Sequence, residues 1–533
     1  MKKFAPFLAL VLLANLLSPI LVTQPVTAWS TDSSVNTPVC TAKWSQGALG
    51  LAMVSDGAGG AIIAWADSRS GDRGDVYTQR LDLNGDLLWT ADGAAICVEA
   101  GGQIGVSMAG DGSGGAIIAW MDYRGGPDIY AQRTDSTGSM QWISGGVTVS
   151  EFPSYKVEKV IISDGSGGAI LAWCDSRDEG GWKVYAQRID SAGVPRWPVN
   201  GMPVCPIGRD QYEVGMVSDG AGGAVITWRD YAGGSNDIYA QRLDSAGVGQ
   251  WGENGVPVCS ANASQTSPAI ASLASGGVIV AWLDSRNGRD DIYAQKLELT
   301  GSIQWAQNGV AVCTAAVDPE NLVISRDASG GATIAWQESR SGSHDIYAQS
   351  VDNAGVVRWP GDGLPVAVRA GEQFAPAVVS NGSGGAVVVW EDVSDTDEPI
   401  DIHGERFLYT LSKYGGDIYA YQVNSDGMAQ WEEGGVPVCT ARNGQSTPVV
   451  ASDGSGGVIC AWIDYRSDEQ GDIYAQRIIG AGVLGPPSIG VGTPSWVWIA
   501  VAAGVVAVAV ATLIIWRRLT AAKRLPGNTR QPE

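Results

Sequence analysis

The residues able to do chemistry fall into two groups, those that recur along the chain and those that occur once. An Asp-x-Arg pair recurs after an apolar run, at Asp67 and Arg69, Asp122 and Arg124, Asp175 and Arg177, Asp284 and Arg286, and Asp464 and Arg466, with Glu338 and Arg340 as a variant. Asp and Arg two apart on an extended strand point to the same side. They either pair and tie down the following loop or, taken as a ring, offer carboxylates to a cation. Repetition favours the brace, and calcium-loop patterns of the DxDxDG kind are absent. A glutamine recurs in the same way, at Gln103, Gln211, Gln265, Gln373 and Gln445.

Two stretches break the repetition, and a unique ligand needs unique contacts. One reads Phe152-Pro153-Ser154-Tyr155-Lys156-Val157-Glu158-Lys159 and continues at Asp178-Glu179-Gly180-Gly181-Trp182-Lys183. Lys156 takes a glutamine position there, and Lys183 replaces the usual Asp. Tyr155, Lys156, Trp182 and Lys183 are expected to form one aromatic and basic patch. The other stretch is an insertion between Val393 and Gly416 carrying Asp395, Asp397, Glu398, Asp401, His403 and Glu405. Drift in a redundant scaffold is the alternative reading of both, and the acidic loop can equally be solvated and mobile.

No catalytic set stands out beside them. The chain has only 2 His, His344 and His403, which leaves little general-base capacity. Glycosidase chemistry through two carboxylates stays open, because their separation is not visible in sequence. No CxxC, CxxCH or His-x-Cys cluster is present, so neither haem attachment nor a structural zinc site is expected, and no cofactor or metal is assigned.

The elements that position these residues follow from an internal repeat. A tryptophan closes an apolar run at Trp65, Trp120, Trp173, Trp228, Trp282, Trp336, Trp390 and Trp462, at spacings of 55, 53, 55, 54, 54, 54 and 72. Each unit parses into four short strands. In the fourth unit a first strand ends at Ser218-Asp219-Gly220, a glycine-rich turn leads to a second strand over 224–228, and a polar loop leads to a third over 237–243. The turn Asp244-Ser245-Ala246-Gly247 then leads to Trp251 and a fourth strand around 256–259. Eight four-stranded units with no helix between them predict an all-β, eight-bladed β-propeller, with a linear β-solenoid as the alternative. Thr37-Pro38-Val39-Cys40 copies a fourth strand, whereas the last unit stops after its third. The N-terminal strand is therefore expected to complete the last blade and remove the open edge.

Asp-Ser-x-Gly-x-x-x-Trp, as in Asp190 to Trp197 and Asp244 to Trp251, resembles the tryptophan-docking turn of quinoprotein dehydrogenase propellers, which are themselves eight-bladed. It is also similar to the Asp-box turn of sialidases, with altered spacing. The whole unit resembles repeats of uncharacterised prokaryotic surface proteins. The resemblance implies architecture and a structural role for these turns. By the habit of such propellers, ligands use the face of the second-to-third-strand loops and blade crossings. A second series, Trp89, Trp142, Trp197, Trp251, Trp305, Trp359 and Trp431, closes the docking turns, with Trp29 as a looser eighth. Both series read as core between blades rather than a sugar-stacking ladder. Cys40, Cys97, Cys205, Cys259, Cys313 and Cys439 share one repeat position, a blade apart, and are expected as buried free thiols.

The two ends carry addresses. Lys2 and Lys3 precede an apolar run, and Val26-Thr27-Ala28 offers a cleavage site, so residues 1–28 read as a signal peptide. Residues 496–516 form an uncharged apolar stretch of 21 residues followed by Arg517, Arg518, Lys523 and Arg524. At ~1.5 Å per residue that length spans ~30 Å of hydrocarbon. It reads as a transmembrane helix with a cytoplasmic tail at 517–533 and a Gly/Pro-rich linker at 480–495. A C-terminal sorting signal is the alternative, without an LPxTG-type motif to support it. The part between the ends, 29–495, holds 27 basic and 55 acidic residues, net −28. That charge disfavours nucleic acid and favours cations, polar sugars or basic protein patches. The expectation is a membrane-anchored extracytoplasmic propeller that binds a protein or a glycan, or scaffolds one. The alternative is an envelope carbohydrate-active or quinoprotein-like enzyme.

Overall fold

The computed structural model describes residues 29–485, apart from 72–73, 179–180, 208–209, 232–233, 275, 394–415 and 468–469. Within them the repeat forms 32 strands in eight four-stranded sheets. Blade 4 shows the pattern, with Asp210–Ser218, Ala224–Tyr231, Asn236–Leu243 and Val256–Cys259 pairing in that order, antiparallel throughout. The second strand runs three residues past Trp228, because Asp230 pairs with Asp237 and Tyr231 with Asn236. The fourth strand of blade 3 is cut to Met202–Pro203.

Second strands such as Val458–Asp464 are buried along their whole length. Each lies in a sheet covered by a blade on either side, which is why these runs are continuously apolar rather than alternating. First strands of successive blades pack on one another, and Gln445–Ser452 of blade 8 packs on Gln46–Ser55 of blade 1, so the eight sheets close a ring. The closing strand is Thr37–Cys40, which pairs antiparallel with Asp472–Ile478 as Thr37 to Ala475 and Pro38 to Tyr474. Up-down pairing places the first and third turns of every blade on one face. The second-to-third-strand loops and the crossings lie on the other.

The two tryptophan series do different jobs. Those closing second strands are fully buried, and seven of the eight stack on the tyrosine across the next strand at centroid distances of 6.1–6.5 Å. The docking series joins blades. Trp89, Trp142, Trp197, Trp251, Trp305, Trp359 and Trp431 each donate their indole N–H to a carbonyl in the docking turn of the next blade, at 2.9–3.3 Å. The indole also lies on the turn glycine. A Cβ on Gly138, whose φ is +83°, would stand 2.8 Å from Trp89, so that position takes glycine on both counts. Trp29 is not the looser member the spacing suggested, because it is 2% exposed and closes the series onto blade 1.

All eight cysteines are free and buried. Among the described residues no helix is long and apolar enough to cross a membrane. The expected signal peptide, most of the linker, the span at 496–516 and the basic tail lie outside the described residues.

Candidate functional site

The recurrent Asp-x-Arg pairs are braces. In blade 2 the Trp120 indole donates to Asp122 Oδ2 at 2.8 Å, and Arg124 pairs with the same oxygen at 2.6 Å. That guanidinium also lies 4.3 Å from the centre of the Tyr130 ring and donates to Cys97 Sγ and to Gly145 O. Blades 1, 5 and 8 repeat the arrangement around Asp67, Asp284 and Asp464. Blade 7 keeps the brace by another route: Arg369, from the crossing, reaches Asp392 at 3.4 Å and covers Tyr419. In blades 1, 2, 3, 5 and 8 the carboxylate is thus consumed by an indole, a guanidinium and a loop amide.

The thiols beside these braces are inert. Burial pushes Cys97 and Cys313 up to about 11 and Cys40 and Cys259 up to about 12, although an arginine lies beside each. A second set of pairs holds the opposite face. Asp56 accepts from the Ala58 and Gly60 amides through one oxygen and pairs with Arg80 through the other, whose Nη1 donates to Ser136 O in the next blade.

The four singular residues of blade 3 do not form one patch. Lys156 is 4% exposed, and its ammonium turns inward onto the carbonyls of Pro127, Phe152 and Ser154 at 3.0, 2.5 and 3.3 Å, with Asp128 at 3.6 Å. It occupies the place of the recurrent glutamine, whose amide in blade 2 reaches back to Glu99 O and Gly101 O in the same way. Burial lowers the Lys156 ammonium, with Asp175 and Asp128 opposing that shift. Trp182 and Lys183 belong to the next boundary. Trp182 lies 6.1 Å from Tyr212 of blade 4 and packs into the core shared with that blade, while Lys183 Nζ donates to Pro206 O and lies 3.8 Å from Asp178. The crossing that carries Tyr155 faces blade 2, whereas the third strand that carries Trp182 faces blade 4.

Tyr155 alone stays open, at 74% exposure. It overlooks a cleft of about 450 Å³ between blades 2 and 3, lined also by Pro127, Asp128, Glu151, Phe152, Ser176 and Arg177. Phe152 is held in place by the Arg177 guanidinium, 4.7 Å from its centre and 3.9 Å from that of Tyr185 on the other side. Ser154 Oγ donates to Asp175 at 2.6 Å and fixes the turn before Tyr155. A second cleft, between blades 5 and 6, is lined by Ser285, Arg289, Asp290, Val317 and Asp318 and presents no aromatic ring. Asp395, Asp397, Asp401, His403 and Glu405 lie outside the described residues.

Sequence reasoning missed a collar where the first strands meet around the axis. Every first strand carries a register shift, and Glu158, Glu213, Ser267, Asn321, Ala375 and Thr447 hold φ between 48° and 56° at these bulges. Side chains of one blade cap bulge amides of the next. Glu158 accepts from the Glu213 amide, Glu213 from the Ser267 amide at 2.6 Å, and Gln337 from the Ala375 amide at 3.1 Å. Lys159 reaches back to Gly105 O and Ser107 Oγ of blade 2, and Arg229 pairs with Glu213 at 3.2 Å. The only signal in the sequence was that Glu158 and Lys159 lie in the singular stretch.

No family model matches the chain, and no curated protein matches it. Solved structures resemble it at low similarity. A polysaccharide lyase, an ulvan lyase, has 10% identity and a TM-score of 0.39 over 87% of this chain and 98% of its own. An exo-β-1,3-galactanase from Bifidobacterium bifidum has 13% identity and a TM-score of 0.29 over 49% and 93%. An acylaminoacyl peptidase from Pyrococcus horikoshii has 11% and 0.39 over 81% and 59%. At these scores their activities carry no argument about this chain.

Proposed function

We propose that this chain is a glycan-binding module anchored at the outer side of a membrane, of the same kind as the prokaryotic surface propellers its repeat resembles. In this reading residues 1–28 direct export, 29–479 form the propeller, 480–495 tether it, 496–516 span the bilayer and 517–533 stay inside.

The observation that carries the binding reading is the open Tyr155 ring over the cleft between blades 2 and 3. The apolar face of a pyranose stacks on such a ring, and carboxylates at the rim accept from its hydroxyls. Phe152 and Glu151 supply those groups on a crossing that Lys156 anchors, with Asp128 and Ser176 beside them on the third strand of blade 2 and the second strand of blade 3. Among the described residues the recurrent Asp-x-Arg carboxylates are taken up by braces, whereas this cleft is peculiar to one blade boundary. Net −28 outside the membrane selects neutral or amino sugars over sulfated or uronic polymers.

The test is a panel of immobilised envelope polysaccharides and extracted envelope proteins, probed with the detergent-solubilised full chain. The reading expects saturable retention on a neutral or amino-sugar polymer. Retention on protein alone makes the module a protein-binding one, and turnover of a bound glycan makes it an enzyme. Alkaline extraction of membranes tests the anchor: the chain stays in the pellet if residues 496–516 span the bilayer and is released if they do not.

A further inference from the structure

In each blade the crossing meets the far end of the second strand, and backbone pairing fixes where. The glutamine position of the crossing pairs with the aspartate that follows the strand's tryptophan, as Gln46 with Asp67, Gln103 with Asp122, Lys156 with Asp175 and Gln211 with Asp230. Just beyond that pair the Ser68 amide donates to Ser45 O, the Tyr123 amide to Gly102 O and the Ser176 amide to Tyr155 O, at 2.9–3.0 Å. Four successive blades carry one exposed aromatic ring each within two residues of this junction. They are Trp44 in blade 1, Tyr123 in blade 2, Tyr155 in blade 3 and Tyr231 in blade 4, at 55, 46, 74 and 47% exposure. Two come from crossings and two from the ends of second strands. With Phe152, which lines the same cleft as Tyr155, they are all the exposed aromatic side chains among the described residues. The junctions of blades 5, 6 and 7 hold Ser264 with Ser285, Val317 with Ser339, and Glu372 with Val393. Tyr465 of blade 8 is partly buried against the core.

Packing does not account for the four rings. Trp44 carries the clearest sign. Its φ is +77°, and the same place two residues before the glutamine is taken by Gly101 at +94°, Ala263 at +73°, Gly371 at +96° and Asn443 at +64°. A left-handed backbone favours glycine or asparagine and disfavours a bulky side chain. A strained and exposed tryptophan points to a role outside the core. Sheets packed face to face stand about 10 Å apart, so successive rings are separated by about one blade. A single sugar therefore reaches one ring, and only a chain touches two.

We propose that Trp44, Tyr123, Tyr155 and Tyr231 form one track over blades 1–4, along which a linear polysaccharide of neutral or amino sugars lies. The inference rests on the glycan reading and says which kind of glycan is bound: an internal stretch of a long chain rather than a monosaccharide or a chain end. Each ring stacks on the apolar face of a pyranose, and a ligand that repeats along its length suits a platform that repeats from blade to blade. Affinity then builds from ring to ring, because neighbouring subsites act on one tethered ligand. A single-stranded nucleic acid also stacks on such rings, but net −28 repels its phosphates.

The test measures the affinity of the detergent-solubilised full chain for N-acetylglucosamine oligomers and glucose oligomers, from the disaccharide to the soluble polymer. Beside it stand Tyr155→Ala, Trp44→Gly and a double variant carrying Tyr123→Ala and Tyr231→Ala. The proposal expects affinity for one of the two series to climb with length until the chain covers all four rings. The double variant and Trp44→Gly should each weaken the longest oligomers at least about fivefold and leave the disaccharide as it was, whereas Tyr155→Ala weakens both. The melting temperature is expected to be unchanged in the double variant and unchanged or higher in Trp44→Gly, since glycine relieves the left-handed backbone. Equal affinity from disaccharide to polymer, with Tyr155→Ala alone weakened, would overturn the track and leave the glycan reading standing. No binding of either series by the parent would overturn both. A Trp44→Gly protein that melts lower and binds as the parent does would make that ring part of the fold and overturn the track at blade 1.

Discussion

The Trp29 indole donates to Leu83 O at 2.9 Å, across the seam where the first and last blades meet. It repeats at the chain's start the bond that Trp142 makes to Ser191 O and Trp431 to Gly480 O between consecutive blades. Together with Thr37–Cys40 on Asp472–Ile478, it gives the ring two independent closures, one in a sheet and one between sheets.

Trp29→Ala is therefore expected to destabilise the propeller as an internal docking variant does. Both Trp29→Ala and Trp142→Ala should cost about 3–5 kcal/mol, the usual range for truncating a buried aromatic. Chemical denaturation of the two variants beside the parent checks it. A Trp29→Ala protein as stable as the parent would mean that the strand alone closes the ring.

Removing a brace carboxylate should act on stability and spare binding. Asp122→Ala leaves the buried Trp120 N–H without its acceptor and Arg124 without its counter-charge. With Arg124 about a quarter exposed, a loss of about 2–3 kcal/mol is expected. An unchanged denaturation midpoint together with lost ligand retention would reverse the assignment and make these carboxylates part of a site.

The thiols give a pH dependence with a definite sign. Their folded pKa values lie above the ordinary thiol value of 9.0, at about 11 for Cys97 and Cys313 and about 12 for Cys40 and Cys259. Unfolded chains release these protons first, so stability from this source is level below about pH 9 and falls as pH climbs toward the folded values. At pH 8 the folded protein should resist alkylation under conditions that label all eight cysteines in denaturant. Rapid labelling of Cys97 in the native protein would contradict the burial.

The architecture was legible because it rests on local chemistry repeated eight times. A tryptophan ending an apolar run, a glycine-rich turn and a docking turn each report on a few neighbouring residues, and their period assembles the ring. Even the seam could be read, since Thr37-Pro38-Val39-Cys40 is a displaced fourth strand. The site was less legible, because direction is a property of packing. That Lys156 replaces a glutamine is visible in sequence. That the glutamine is itself buried, so that the ammonium must turn inward and not outward, is not. Tyr155 and Trp182 share a blade but face opposite neighbours, which depends on where a crossing and a third strand sit in the ring. The bulges at Glu158 and Glu213 hold positive φ without glycine, so nothing in the composition announces them.

The central claim, that a singular aromatic cleft between blades 2 and 3 binds glycan, is tested most directly by comparing affinities of the full chain, Tyr155→Ala and Val194→Ser for one retained polymer. Val194 is exposed on the opposite face and serves as the control. The account predicts that Tyr155→Ala weakens binding at least about tenfold, some 1.4 kcal/mol, with an unchanged melting temperature, while Val194→Ser binds as the parent does. Equal affinity of Tyr155→Ala and the parent would contradict it.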